Sequence, residues 1–228
     1  MNWLGLTYEP VATFELRPSN TTKTGGKTLV CPTPYALKMA LMDRFIRVMG
    51  YEAGVTRFPL VRDLIVYASP PLAVALNRTF QKILRPGKKG KIWQETIAMR
   101  EFCVHTGALK LALELPDEAP PLFADELIHM AASINYFGQR GGFFQLVEAS
   151  PLAGEPTNYT DLSQPQRTFA VGFLQRMDDM EPDATFDDVS SFNKRAKGAR
   201  RSYNVVFPYE LAHTATSHTV WRRKEEVT

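Results

Sequence analysis

Cysteine is almost absent from this sequence: Cys31 and Cys103 are the only two among 228 residues. They form no Cys-x-x-Cys pair and have no metal-ligand spacing, which argues against a disulfide framework and favours free thiols in a reducing compartment. Long hydrophobic runs are also missing, since no apolar stretch approaches the roughly 20 residues that cross a bilayer. The first residues show no basic segment followed by an apolar one, so we expect no signal peptide. A soluble, cytoplasmic protein is the expectation.

Motifs of several large enzyme classes are missing as well. The sequence contains no Gly-x-Ser-x-Gly, no Walker sequence and no His-Glu-x-x-His, each of which carries a defined catalytic arrangement. Histidine is scarce, and the five-residue spacing of His213 and His218 is not that of a metal-ligand pair. His129 lies off the apolar stripe of a predicted helix, which favours a structural role. We therefore expect no cofactor and no metal site.

Apolar sequence is what the chain has in quantity: 44% of its residues are apolar and 11% aromatic. This is enough for a buried core and too much for a disordered protein. Strand alternation and helical periodicity predict the following segments. They are strand 3–16, helix 33–50, strands 63–68 and 72–80, strand 109–115, helix 123–138 and strand 143–148.

These segments predict the fold class α+β for residues 1–150. With the segment 78–105 set aside, their order is β-α-β-β-α-β, which is the order of a ferredoxin-like domain. In that topology both helices cover one face of an antiparallel sheet, and the other face is left available for a ligand. The first helix has clear end signals, with Thr33 as N-cap, Pro34 at the first position and Gly50 at the end.

The segment 78–105 is distinguished by its charge, with seven Lys or Arg residues against two acids. Apolar residues flank a basic turn that contains proline and glycine, which predicts a protruding hairpin of two strands. A solvated basic loop is the alternative, because charge runs are usually solvated. The cations of this segment are Arg78, Lys82, Arg85, Lys88, Lys89, Lys91 and Arg100.

A glycine-rich turn joins the second predicted helix to the strand at 143–148. Gly138, Gly141 and Gly142 fall within five residues, and Arg140 lies among them. Glycine adopts strained dihedrals cheaply and leaves backbone N–H groups uncovered, so such a turn can receive a phosphate. The alternative is a tight connection with no binding role.

The sequence changes character after residue 150, and we predict a smaller, mostly β region at 151–228. Residues 151–166 are rich in proline and predict a linker. Residues 178–188 contain six acids and no base, which predicts a solvated loop. Residues 194–201 contain five bases and no acid, and Phe192 and Tyr203 flank them with rings that nucleobases can stack on.

Three basic zones therefore emerge, at 82–91, at Arg140 and at 194–201. Cations beside aromatic rings favour single-stranded RNA over duplex DNA, because phosphates bind the cations and unpaired bases stack on the rings. Catalysis is the alternative: His105 lies near the basic hairpin and could be the general base of a metal-independent ribonuclease, with Tyr203 and a lysine beside it. A ferredoxin-like domain that binds a small molecule or a protein is a third possibility.

Several of these motifs resemble one known family. Thr24-Gly25-Gly26-Lys27 followed by Pro32-Thr33-Pro34-Tyr35-Ala36-Leu37-Lys38 is similar to the first helix region of the CRISPR-associated RAMP superfamily subunit usually called Cas-five. Asn77-Arg78-Thr79-Phe80-Gln81-Lys82-Ile83 and Arg100-Glu101-Phe102 resemble the arms of its thumb hairpin, and Phe137-Gly138-Gln139-Arg140-Gly141-Gly142-Phe143 resembles its glycine loop. The resemblance covers residues 1–150.

The resemblance implies a noncatalytic, RRM-like subunit of a type I CRISPR surveillance complex (Cascade), which acts in antiviral defence. It implies that the chain caps the five-prime handle of the crRNA, contacts the backbone subunit and the large subunit, and meets target DNA near the PAM only indirectly. One branch of the family cleaves precursor RNA, but its catalytic residues have no match here. The residues expected to contact RNA are Lys27, Lys38, Arg44, Arg78, Lys82, Arg85, Lys88, Lys89, Lys91, Arg100, Arg140, Gly141, Gly142, Lys194, Arg195, Arg200 and Arg201.

Overall fold

The computed structural model describes residues 2–21, 25–87, 92–138, 141–166, 171–190, 193 and 199–224. The described part is a mixed α+β fold, and its strands pair antiparallel except for the short pairing of β2 with β5. The helices are α1 (Pro34–Met49), α2 (Tyr51–Arg62), α3 (Phe123–Ala132) and α4 (Phe186–Val189). The strands are β1 (Trp3–Pro10), β2 (Gly25–Gly26), β3 (Ile65–Ser69), β4 (Ala73–Pro86), β5 (Trp93–His105), β6 (Leu109–Glu114), β7 (Phe144–Pro151), β8 (Thr160–Asp161), β9 (Phe173–Met180), β10 (Arg200–Phe207), β11 (Tyr209–Thr214) and β12 (His218–Arg223).

The first sheet has the strand order β7-β1-β6-β3-β8. Alternation in β1 places Leu4, Leu6 and Tyr8 on its buried face, as the period of two requires. Helix α3 covers this face, since the Tyr8 hydroxyl donates to the carbonyl oxygen of Ala131 at 2.9 Å. Helix α1 packs against α3 through stacked rings of Phe45 and Phe123, 6.3 Å apart. Two of the predicted helices thus lie together on one side of the sheet.

The opposite face of this sheet is half-covered and negatively charged. The rings of Trp3 and Tyr67 meet edge to face there, with centroids 5.2 Å apart. Leu152 packs over Gly5, since a Cβ atom at Gly5 would lie 3.0 Å from Cδ2 of Leu152. Burial and the nearby carboxylates of Asp161, Glu155 and Glu114 raise the pKa of Tyr67 to about 12. We expected this face to be open for a ligand, but its charge disfavours a phosphate chain.

The second sheet is built around a long hairpin. Strands β4 and β5 pair without interruption from Val74 opposite His105 to Pro86 opposite Trp93. The hairpin predicted at 78–105 is therefore present. It begins earlier than predicted, at Ala73, because the predicted strand 72–80 forms part of its first arm. Strands β12 and β11 extend the sheet on the β4 side, and β2 extends it on the β5 side. The predicted RNA contacts Lys88, Lys89 and Lys91 at the tip lie outside the described residues.

Helix α2 has no counterpart among the predicted segments. Gly50 ends α1 with a φ of 92°, and α2 starts at the next residue. The two helices approach closely at Gly54, where a Cβ atom would lie 2.5 Å from Cγ1 of Ile46. Only three of its residues, Gly54, Phe58 and Val61, are buried, so its sequence shows no clear apolar stripe. In the described part of the chain, no helix is long and apolar enough to cross a membrane.

The acidic segment 178–188 is not a solvated loop throughout, because Asp178 and Asp179 belong to strand β9 and are buried. The Asp179 carboxylate accepts from Nζ of Lys38 at 2.6 Å and lies 3.4 Å from the Arg201 guanidinium. Lys38 also donates to the carbonyl oxygen of Arg62 at 2.8 Å. The prediction that Lys38 contacts RNA is therefore wrong: its side chain is 1% exposed and holds α1 against β9.

The chain after residue 150 adds strands to both sheets. Strand β8 lies within the predicted linker 151–166 and pairs with β3, and the adjacent Leu162 is fully buried. Strand β12 pairs with β4 at the base of the hairpin. Strands β9 and β10 pair with each other, and their residues Met177 and Phe207 belong to the same hydrophobic core as Leu41 of α1. The region is mostly β, as the sequence predicted.

Replacing Lys38 by Met tests the role of the buried ion pair. We expect the variant to lose about 3 kcal/mol of unfolding free energy, because it leaves a buried carboxylate without its closest cation. Urea denaturation measures this loss. The matched control is Arg47→Met, since Arg47 pairs with Asp43 at 2.8 Å but is 60% exposed, and an exposed ion pair contributes little to stability. Equal small losses in the two variants would contradict the assigned role.

Candidate nucleic-acid interface

A groove runs from the base of the hairpin to the glycine-rich turn. It consists of four adjoining cavities of about 510, 330, 280 and 560 Å³. Neighbouring cavities share lining residues: Lys27 lines the first two, Leu29 the second and third, and Thr33 the third and fourth. We call this continuous depression the basic groove, because cations lie along its length. Those lining it are Arg17, Lys27, Arg44, Arg78, Arg100, Arg176 and Arg200.

The hairpin end of the basic groove brings together three cations that are far apart in sequence. Lys27 is exposed, Arg78 on β4 is 50% exposed, and both line the same cavity as Arg100 of β5. Arg100 is only 11% exposed and pairs with Glu15 at 2.9 Å, so it is less accessible to a ligand. The buried Glu101 carboxylate accepts from Nε of Arg78 at 3.3 Å, which orients Arg78 at the groove wall.

The middle of the groove is formed by the segment between β1 and α1, which folds back on itself. The backbone N–H of Leu16 donates to Oγ1 of Thr28 at 2.9 Å, and that of Leu29 donates to the Leu16 carbonyl oxygen at 2.7 Å. The N–H of Thr28 donates to Glu101 at 3.0 Å. These bonds tie the segment to the hairpin base and give the groove a fixed wall.

The other end of the groove lies at the start of α1. Thr33 caps the helix by accepting from the N–H of Ala36 at 3.1 Å, as its sequence position predicted. A helix N-terminus attracts anions through its free N–H groups and its dipole. The Arg200 guanidinium lies over the Tyr35 ring at 3.9 Å, and Arg44 pairs with Asp43 at 2.6 Å. Two predicted RNA contacts, Arg44 and Arg200, therefore line the same cavity as the helix cap Thr33.

The glycine-rich turn borders this end, and each glycine has a local structural reason. Gly138 has a φ of 65° and Gly141 a φ of 123°, which are conformations that other residues rarely adopt. A Cβ atom at Gly142 would lie 2.9 Å from Cβ of Phe14. Gly138 lines the groove, while Arg140 lies outside the described residues. Backbone geometry and packing thus account for the three glycines without a ligand.

The structure places other predicted RNA contacts away from the groove. Lys82 and Arg85 lie farther out on the hairpin. Arg201 lies in a separate cavity of about 390 Å³ around Lys38 and pairs with Asp179, so it does not join Arg200. Lys194 and Arg195, with the flanking Phe192, are not among the described residues.

His105 is not placed as a general base. Its Nε2 lies 2.7 Å from the carbonyl oxygen of Val30, so Nε2 is the donor, and its ring meets Phe14 edge to face at 4.9 Å. Burial lowers the pKa of His105 to about 4, which keeps the ring neutral. Tyr203 lies elsewhere, in the cavity around Lys38, and burial raises its pKa. Within the described residues, no group of three or more potential metal ligands converges.

Sequence reasoning missed several groove residues. Arg176 and Phe173 lie on β9, Trp221 lies on β12, and Tyr35 starts α1. Phe173 and Trp221 stack with ring centroids 4.4 Å apart. Phe173 stands in no basic run and Trp221 is followed by Arg222-Arg223-Lys224, but the two aromatic residues are far apart in the chain, so only the fold reveals the pair. Tyr35 could have been found as the aromatic residue next to the helix cap.

The hairpin beyond the core carries exposed apolar side chains on one face. Phe80 lies opposite Met99, and Lys82 lies opposite Ile97, in the antiparallel register that puts these residues on the same face. The apolar members are well exposed, from 51% for Met99 to 71% for Phe80. Leu84 and Trp93 continue this row toward the tip. We call Phe80, Leu84, Trp93, Ile97 and Met99 the apolar hairpin face.

Comparisons with known proteins place the fold. No protein-family model matches this chain, and no curated protein matches it. A solved structure that is similar is described as the crystal structure of a CRISPR protein from Archaeoglobus fulgidus. It has 11% sequence identity and a TM-score of 0.50, and the match covers 99% of this chain and 93% of that chain. At this identity the likeness shows the fold alone.

The unfolding free energy should depend on pH, because His105 is largely buried and neutral in the folded chain. Its pKa falls from 6.5 to about 4 on folding, so the unfolded chain binds more protons between these values. The unfolding free energy should therefore fall as the pH drops, by about 2 kcal/mol between about pH 7.5 and about pH 5. Urea denaturation at both pH values measures it. In His105→Gln this decrease in unfolding free energy should disappear, whereas the control His213→Gln, at an exposed position, should retain it. An unchanged decrease in His105→Gln would contradict a neutral His105 in the folded chain.

Proposed function

We propose that this chain is a noncatalytic RNA-binding subunit of a CRISPR ribonucleoprotein complex. The observation that carries the proposal is the basic groove, which gathers Lys27, Arg78 and Arg200 from three distant parts of the chain. The likeness of its fold to a CRISPR protein supports the context. The resemblance in the hairpin arms and the first helix region supports the same assignment independently.

The more specific proposal is a Cas-five subunit of a type I Cascade complex, in which a ferredoxin-like unit carries the thumb hairpin. The sheet order β7-β1-β6-β3, with α1 and α3 on one side, supports the ferredoxin-like unit. The division into residues 1–150 and a smaller region 151–228 belongs to this proposal. In this role the chain caps the five-prime handle of the crRNA and meets target DNA near the PAM only through the large subunit.

The groove would bind RNA mainly through its phosphates. Cations at both ends and a helix N-terminus near Thr33 offer several sites along one path. The acidic face around Tyr67 and Glu114 repels a phosphate chain from the opposite side of the first sheet. RNA is thereby directed to the groove side. The other predicted contacts that remain part of this proposal are Arg44, Lys82, Arg85, Lys88, Lys89, Lys91, Arg100, Arg140, Gly141, Gly142, Lys194, Arg195 and Arg201.

The hairpin would contact the backbone subunit through the apolar hairpin face. Exposed apolar side chains line this face of the two strands, with Lys82 and Glu95 among them, and exposed apolar patches rimmed by polar residues mark protein–protein contacts. Lys82 lies on this face and Arg85 on the opposite face of the hairpin, and in this proposal both contact RNA at that junction. The alternative of a ribonuclease that uses His105 and Tyr203 has no supporting contact between these two residues.

Replacing Lys27 and Arg78 together by Gln tests the groove. We expect about tenfold or greater loss of affinity for single-stranded RNA, and a salt slope that is shallower by roughly 0.7 for each lost phosphate contact. Fluorescence anisotropy at several salt concentrations measures both. The control Lys110→Gln/Arg222→Gln removes the same charge from exposed positions that line no part of the groove. Equal effects of the two variants would show that net charge, not the groove, binds RNA.

Replacing Phe80 and Ile97 together by Ser tests the docking role of the hairpin. We expect the variant to enter the complex about tenfold less well when it is coexpressed with the other subunits, because the apolar contact is lost. Its own RNA affinity should change little. Leu122→Ser/Val147→Ser, which alters two exposed apolar residues elsewhere, serves as the control. Normal assembly of the hairpin variant would reject this docking surface.

A further inference from the structure

The stacked pair of Phe173 and Trp221 lies at the wall of the basic groove. The two rings come from β9 and β12, and their planes differ by only 25° at a centroid distance of 4.4 Å. Both side chains are half-buried. They line the cavity of about 330 Å³ at the hairpin end of the groove. The pair therefore presents aromatic surface to the groove.

Cations surround this aromatic surface. Lys27, Arg78 and Arg176 line the same cavity, and all three side chains are exposed. Its volume lies near the lower end of the range of about 300 to 1,000 Å³ that is usual for small-ligand pockets, which suits one nucleotide. An apolar peptide side chain would gain nothing from three cations, whereas a nucleotide uses both the ring and the charges.

Two polar side chains in the cavity wall, Gln175 and Glu101, are already engaged. Gln175 is buried, accepts from the N–H of Val30 at 3.0 Å and donates to the carbonyl oxygen of Thr28 at 3.3 Å. Glu101 accepts from Thr28 and from Arg78. These side chains fix the wall, and their principal hydrogen bonds are made within the protein. A base held here is bound by stacking, which tolerates any base because every base has an aromatic face.

We infer that Phe173 and Trp221 form a nucleobase-stacking site, where one base of single-stranded RNA packs on the aromatic pair while Lys27, Arg78 and Arg176 hold the adjacent phosphates. This inference rests on the proposed function and adds to it the place where a base is held. It also assigns a role to residues 151–228: strands β9 and β12 supply the aromatic part of a groove whose cations come mostly from the rest of the chain.

The test compares two probes of equal length, a single-stranded RNA and the same ribose-phosphate chain without bases. The measured quantity is the ratio of their affinities for one protein variant, by fluorescence anisotropy. For the wild type we expect the base-bearing RNA to bind at least about tenfold tighter. In Trp221→Leu the ratio should shrink by about tenfold, and in Trp221→Phe it should largely persist, because phenylalanine keeps an aromatic face.

Two controls separate stacking from charge and from misfolding. Trp3→Leu removes a tryptophan on the acidic face of the first sheet and should leave the ratio unchanged. Lys27→Gln/Arg78→Gln should lower both affinities and leave the ratio nearly unchanged, because it removes phosphate contacts. A partly unfolded fraction lowers both affinities alike, so the ratio remains informative even if Trp221→Leu is less stable.

The outcomes are distinct for the site and for the proposed function. If RNA binds but Trp221→Leu keeps the wild-type ratio, the stacking site is overturned and the proposed function stands. If the wild type binds both probes equally well, the base contributes nothing and the stacking site is likewise overturned. If neither probe binds the wild type at physiological salt, the proposed function fails and the stacking site fails with it.

Discussion

The buried ion pair between Lys38 and Asp179 is the contact on which the arrangement of the groove depends. It joins α1 to β9, two elements that are far apart in the chain, and both side chains are almost completely buried. Isolated charges are costly to bury, so each of these residues requires the other. Helix α1 carries Tyr35 and Arg44, and β9 carries Phe173 and Arg176. The pair therefore fixes the relative positions of elements that line opposite ends of the groove.

The distribution of charge gives the molecule two unlike sides. Positive side chains gather along the groove, while Glu114, Glu155 and Asp161 concentrate negative charge on the outer face of the first sheet. The formal net charge of +3 conceals this separation. Because a local field steers a charged partner more than the total charge does, a polyanion has one favourable side to approach. The hairpin then adds an apolar surface beside that side.

The sequence predicted the elements whose signals are local. Thr33, Pro34 and Gly50 mark the ends of α1, and apolar residues on both sides of a basic turn mark the hairpin arms. Helix α2 escaped prediction because few of its side chains are buried. The second half of strand β9 escaped prediction because two adjacent aspartates indicate solvent, and only the distant Lys38 makes their burial possible. The groove itself could not be predicted residue by residue, since its cations meet only after distant strands pair.

The pairing of β12 with β4 has a consequence for the order in which the molecule matures on the ribosome. The hairpin arms are synthesised early, but the strand that flanks them arrives nearly 150 residues later, as the register of Trp221 opposite Val74 shows. Closing so long a loop is entropically demanding and slow. A nascent chain that still lacks β11 and β12 therefore displays a hairpin without its neighbour and a groove without part of its aromatic wall. The proposed stacking site can form only after β12 has paired with β4.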